Sequence, residues 1–173
     1  MVTVGQLLKW LGIIVILAVL FLGGYVWYRY NAAASFLKNE EMFRSLSTAR
    51  AVLAYVRGMP PIRCQSVTTN FTGALREVLY IANGSFRESI EDISKRDSET
   101  GNTLHIVGNA SGLYAWRTGS DTAKKIGIDV SFESSGTAGG AALVDISSCE
   151  PWWNVDPSLL KVPSNYLIED VRM

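Results

Sequence analysis

The sequence predicts an α+β chain in three parts: a transmembrane anchor within residues 1–30, an amphipathic helix and Pro linker within 31–61, and an antiparallel β domain over 62–173. Three observations predict it. Trp10 to Tyr28 carries no charged residue. Between Met42 and Val56 the apolar residues step by three and four. From Ile62 onward they alternate, and turn residues interrupt them at short intervals.

The charge-free run "WLGIIVILAVLFLGGYVWY" is 19 residues, about 28 Å of helix, which suffices to cross a hydrocarbon core. Lys9 and Arg29 bracket it. Trp10 stands at one edge and Tyr25, Trp27, Tyr28 and Tyr30 at the other, the aromatic belts expected at two membrane interfaces. A cleaved signal peptide is the alternative, with Ala32–Ala34 as the peptidase site. The length of the run and the aromatics at its end favour a retained anchor through residues 10–28.

In the following segment Met42, Leu46, Ala49, Leu53 and Val56 form one apolar stripe, and Arg44, Arg50 and Arg57 occupy the other face. Gly58 and Pro60-Pro61 stop this helix. Docking on the β domain is expected; lying on the bilayer is the alternative.

In the β region Asn83-Gly84 joins two arms, "ALREVLYIA" and "SFRESIEDI", as a type I′ hairpin. "TLHIV" and "LYAWRT" flank a second turn, "GNASG". "KKIGIDVSFE" alternates at Ile126, Ile128, Val130 and Phe132, and "AALVDIS" leads into Cys149 as another strand. Near the C-terminus Asp156 is a fitting N-cap with Pro157 at the first helical position, and Pro163 stops the turn. One of Trp152 and Trp153 is expected to pack inward, and Leu159 or Leu160 to close over the sheet.

Residues 1–61 hold six Lys/Arg against two Glu, and residues 62–173 hold ten against fourteen acids. A β domain with that balance lacks the basic face that phosphate backbones need, so no nucleic acid is expected as a partner. The one histidine, His105, has no nucleophile or carboxylate motif around it, and no GxSxG, HExxH or phosphate loop occurs. Glu88, Glu91, Asp92, Asp97 and Glu99 lack calcium-loop spacing and read as a solvated edge. Sequons at Asn70, Asn83 and Asn109 carry little weight in a Ser/Thr-rich chain. No enzymatic activity, metal or cofactor is expected.

Cys64 and Cys149 are 85 positions apart without a CxxC, which suits a structural disulfide around the β domain; two unrelated buried thiols are the alternative. By the loop-entropy model such a bridge contributes about 4–5 kcal/mol. It persists only in an oxidising compartment. Lys/Arg counting alone (Lys9 before the span; Arg29, Lys38 and Arg44 after it) favours a cytoplasmic C-terminus. The cysteines argue for the opposite, and a cell-membrane protein with its C-terminal domain outside the cytoplasm is expected.

Tyr80, Tyr114, Trp116, Trp152 and Trp153 supply large apolar area, either to an ordinary core or to a pocket for a hydrophobic ligand. Gly84 leading into a strand with Arg87, and a later hairpin ending in Tyr114-Ala115-Trp116, resemble the outer-membrane lipoprotein carrier superfamily. "CEPWWNVDPSLLKVP" also looks like the end of uncharacterised single-pass bacterial envelope proteins with Cys-x-Pro-Trp, Asp-x-Ser and Pro. The first resemblance implies a strongly curved, half-barrel-like antiparallel meander whose concave face holds acyl chains. Those carriers are soluble after signal cleavage, so a tethered chain points to local binding rather than transport.

The expected function is therefore a membrane-anchored binding or scaffold protein of the envelope, with a lipid, another hydrophobic ligand or an envelope protein as partner. The alternative is a pilin- or pseudopilin-like structural subunit. Its layout is similar, although position 5 is Gly and Lys9 heads the apolar helix.

Overall fold

The computed structural model describes residues 4–39, 46, 48–70, 73–93, 103–127 and 148–171. The chain begins with a 35-residue helix, α1 (Val4–Lys38). Its apolar stretch is long enough to cross a membrane, and from Trp10 to Tyr28 the side chains are exposed on every side. A helix that is apolar all round and unburied by its own chain is what a lipid environment accommodates.

α1 continues past the aromatic belt, and there its burial changes. Arg29, Ala33 and Phe36, at helical spacings of four and three, are all buried. The sequence reading placed the second helix across Met42 to Val56. Instead α1 runs ten residues beyond Tyr28 to Lys38, and α2 is the shorter Ala49–Val56. Met42 and Arg44 lie outside the described residues. Thr48 caps α2, its Oγ1 accepting the Ala51 N–H at 3.1 Å. Gly58, at φ 82°, takes the left-handed conformation that turns the chain out of the helix.

Among the described residues eight strands form one sheet: β1 (Ile62–Asn70), β2 (Gly73–Ala82), β3 (Ser85–Asp92), β4 (Leu104–Asn109), β5 (Gly112–Arg117), β6 (Thr122–Ile126), β7 (Ser148–Pro151) and β8 (Leu167–Asp170). Their order is β7-β1-β2-β3-β4-β5-β6-β8. Strands β1 to β6 are a meander, β7 returns beside β1, and β8 lies parallel to β6 at the other edge. Asn83 and Gly84, at φ 54° and 67°, make the expected two-residue turn between β2 and β3. At the β4–β5 turn, Asn109 Oδ1 accepts the Ser111 N–H at 2.8 Å, an Asx turn. Ile128, Val130, Phe132, the "AALVDIS" segment, Asp97 and Glu99 lie outside the described residues.

The sheet is neither closed nor strongly curled, which corrects the half-barrel expectation. A half-barrel fills one concave face; here the alternation puts apolar groups on both. On one face Ile62, Cys64, Leu79, Ile81, Phe86 and Leu113 pack with Ala33 and Phe36 of α1 and with Val52 and Val56 of α2. α2 therefore docks on protein. On the other face Val107, Tyr114, Trp116 and Ala123 pack with Val162 and Tyr166. Those two belong to residues 152–166, a strap that returns from β7 to β8 and includes a 3-10 turn, Pro157–Leu160. β8 and its parallel pairing were not anticipated from the sequence.

Gly108 sits opposite Phe86 in the β3–β4 register, and the phenyl ring lies across it. A Cβ at Gly108 would meet Phe86 Cζ at 2.6 Å, well inside contact distance. Gly108→Ala is expected to cost about 1–3 kcal/mol, the usual range for overpacking. Urea denaturation of the variant measures it, and an unchanged midpoint would show that the ring moves aside freely.

Candidate functional site at the helix–sheet junction

Arg29 is the first charge after the apolar run, and its side chain is only 4% exposed. An ion buried there is costly unless its donors find acceptors. Its Nη1 donates to Tyr25 Oη at 2.6 Å, and its Nη2 to the carbonyls of Pro61 at 3.0 Å and Trp152 at 2.8 Å. The guanidinium also lies 4.7 Å from the Trp153 ring and 5.5 Å from the Tyr25 ring. Pro61 immediately precedes β1 and Trp152 immediately follows β7. Cys64 and Cys149 face each other across that same strand pair and are joined by a disulfide. The bridge therefore links adjacent strands within the sheet. Arg29 closes the open end of the same seam.

The consecutive tryptophans diverge from this point. Trp152 is half-buried and stacks on Tyr80, ring centroids 5.0 Å apart. Trp153 is 45% exposed and rests on α1, 6.3 Å from Tyr25 and 6.2 Å from Tyr30. Between them opens a groove of about 650 Å3, walled by Tyr30, Tyr80, Trp152 and Trp153. Arg63, Glu150 and Asp156 also line it. Arg63 stacks over Tyr80 at 5.8 Å and reaches Glu150 Oε1 with Nη1 at 3.5 Å. Asp156 caps the 3-10 turn as expected: its Oδ1 accepts from Ser158 Oγ at 2.7 Å and Ser158 N at 2.9 Å. The two hydrogen bonds hold the Asp156 carboxyl below the ordinary carboxylate range, the hydroxyl's contribution being the larger.

Deeper on the same face lies a polar tie. Arg87 Nη1 donates to the Leu159 carbonyl at 3.2 Å, fixing the strap to β3. Arg87 Nη2 and Ser89 Oγ lie 3.1 and 3.0 Å from His105 Nδ1, and Thr118 Oγ1 lies 2.9 Å from His105 Nε2. Trp116 stacks on His105, and Tyr166 of the strap packs on Trp116. Burial, then the neighbouring Arg87 cation, lowers the His105 pKa from 6.5 to about 4. A neutral imidazole held by two hydroxyls and a guanidinium is a structural cross-link.

The five aromatic candidates are thus divided. Tyr80, Trp152 and Trp153 border the groove, whereas Tyr114 and Trp116 are buried beneath the strap. Leu160 is the leucine that closes over the sheet. Arg29, Tyr30 and Arg63 were not singled out from sequence as site residues. Their only sequence signal is position: Arg29 and Tyr30 follow the apolar run, and Arg63 is next to Cys64. No family model, curated protein or solved structure matches the chain.

His105 gives a pH dependence of definite sign. Its folded pKa is depressed, so between pH 6.5 and about 4 the unfolded chain binds a proton that the folded chain refuses. Stability then falls as pH falls through that window and levels off below it. Discounted for the half-exposed ring, the loss is about 1–2 kcal/mol. Urea midpoints of the wild type and His105→Gln between pH 7.5 and 4.5 are the measurement. The variant's curve should be flatter by that amount, and parallel curves would contradict the assignment.

Proposed function

We propose that this chain is a single-pass membrane protein whose β domain stands outside the cytoplasm and serves as a rigidly mounted scaffold for an envelope partner. The observation that carries the reading is the continuity of α1. The same helix is bare from Trp10 to Tyr28 and contributes Ala33 and Phe36 to the domain core. Burying one phenylalanine contributes about 1.5–3 kcal/mol, so the outer end of α1 is held by the domain. A tethered binding module needs only a loose linker. A helix built into the core fixes the height and orientation of the domain, which matters for assembly.

Retention of the anchor has its own support. Ala32–Ala34, the candidate cleavage region, lies inside α1, and Ala33 is buried in the core. Cleavage there would also remove Arg29 from the Pro61 and Trp152 carbonyls. The Cys64–Cys149 disulfide supports an oxidising compartment. Holding acyl chains on a concave sheet draws no support from this architecture, since the sheet is not strongly curled and each face carries a covering layer.

A filament-subunit role is the second reading. It is favoured by the same helix, half embedded in the core and half bare, because helix packing would cover the bare half. The scaffold reading is tested with photo-crosslinking residues at Trp27 and Leu167, both exposed, in native membranes. Discrete adducts to a different envelope protein from Leu167, lost when a flexible Gly-Ser spacer is inserted between Tyr28 and Arg29, ahead of the docked part of α1, support the scaffold. Adducts indifferent to the spacer contradict rigid mounting, and ladders of the chain with itself through Trp27 support the filament.

A further inference from the structure

The groove beside Arg29 opens at the level of the membrane surface. Trp10–Tyr28 accounts for the hydrocarbon-spanning length, so Tyr30, one wall of the groove, falls among the headgroups. Trp153, the adjoining wall, touches both Tyr25 and Tyr30. A lipid packed against α1 would have its phosphate at the groove mouth. No soluble ligand is brought there by the fold in the same way.

The charges in the groove narrow the headgroup further. Arg63 is under-satisfied on its exposed side, where its Nη1 meets Glu150 only at 3.5 Å, the outer limit of a hydrogen bond. A guanidinium in that state is suited to a phosphodiester, which accepts two parallel N–H bonds at short distance. Glu150 and Asp156 add two exposed carboxylates. Among the charges that line the groove one cation stands with two carboxylates, which disfavours an acidic headgroup. The same set complements a phosphate bearing a nearby ammonium, whose positive end also finds the ring faces of Tyr80 and Trp152. The groove volume of about 650 Å3 lies in the range of small-ligand clefts.

We propose that this groove binds the headgroup of a zwitterionic, amine-bearing phospholipid from the leaflet surrounding α1, with the phosphate on Arg63 and the ammonium toward Glu150 and Asp156. The site rests on the reading of α1 as a retained membrane span. It goes beyond that reading by giving the domain a specific lipid contact, which would fix its rotation about the helix axis as well as its height.

The test is native mass spectrometry of the full chain, reconstituted in equimolar phosphatidylethanolamine and phosphatidylglycerol and then released from the bilayer. One tightly held phosphatidylethanolamine is expected. Arg63→Gln should reduce its retention about tenfold, the scale of one charge-assisted hydrogen bond. Glu150→Gln should keep binding but erode the preference over phosphatidylglycerol, and it serves as the second variant if Arg63→Gln fails to fold. Equal retention of both lipids by the wild type, retention unaffected by both variants, or no retained lipid would overturn the site. Flotation with carbonate-washed vesicles separates this from the underlying reading. A chain that floats but shows no lipid preference overturns the site alone, and one that does not float overturns the span and the site together.

Discussion

A guanidinium at the end of an apolar helix must find acceptors or leave the interface, and Arg29 finds two carbonyls on opposite sides of one strand seam. Pro61 leads into β1 and Trp152 leads out of β7. Three residues further in from each, Cys64 and Cys149 are covalently joined. The seam is thus fixed at two heights, by a charge-assisted hydrogen-bond pair at its mouth and by a disulfide within it. Hydrogen bonds to charged groups contribute about 1.5–3 kcal/mol each, and their loss would leave a buried cation uncompensated. Losing Arg29 removes the cation together with these bonds and leaves the Trp152 carbonyl without that donor.

This clamp organises both faces of the sheet. On one face it brings α1 to the seam at the height that lets Ala33 and Phe36 enter the core with α2. On the other face it holds the start of the strap, whose later residues cover Trp116 and Tyr114 and end as β8. Arg87 repeats the device at the middle of the strap, where it grips the Leu159 carbonyl and lies 5.5 Å from the Trp116 ring. Two arginines beside indoles, Arg29 on two backbone carbonyls and Arg87 on one, thus fix a segment that has little regular structure of its own. The groove exists because Trp152 and Trp153 are sent to opposite sides of this fixed point.

Much of the fold was legible because its causes are local. The loss of charge over Trp10–Tyr28, the switch to alternation at Ile62, the positive φ demanded at Asn83-Gly84 and the Asp156-Pro157 cap all act within a few residues. The disulfide was legible from two cysteines with no other role. What was not legible depends on distant partners. β8 is a four-residue strand, exposed throughout, and only its pairing with β6 defines it. The continuation of α1 through Asn31–Ala34 suits the helix propensity of its three alanines, but its docking depends on burial of Ala33 against the sheet. Aromatic content pointed to Tyr80, Tyr114, Trp116, Trp152 and Trp153 equally. The strap, whose path no local pattern encodes, separates those at the groove from those in the core. The expected half-barrel came from short motifs that set turns and faces but not curvature.

The rigid mounting of the domain on α1 is tested most directly by electron-electron distance measurement in lipid nanodiscs. One spin label is placed at Phe21 in the apolar part of α1 and one at Lys161 on the strap, both exposed positions. A single narrow distance distribution is expected for the otherwise native chain, broadening on Arg29→Ala while the disulfide remains intact. A broad or multimodal distribution in the native chain, or a narrow one unchanged by Arg29→Ala, would contradict the clamp.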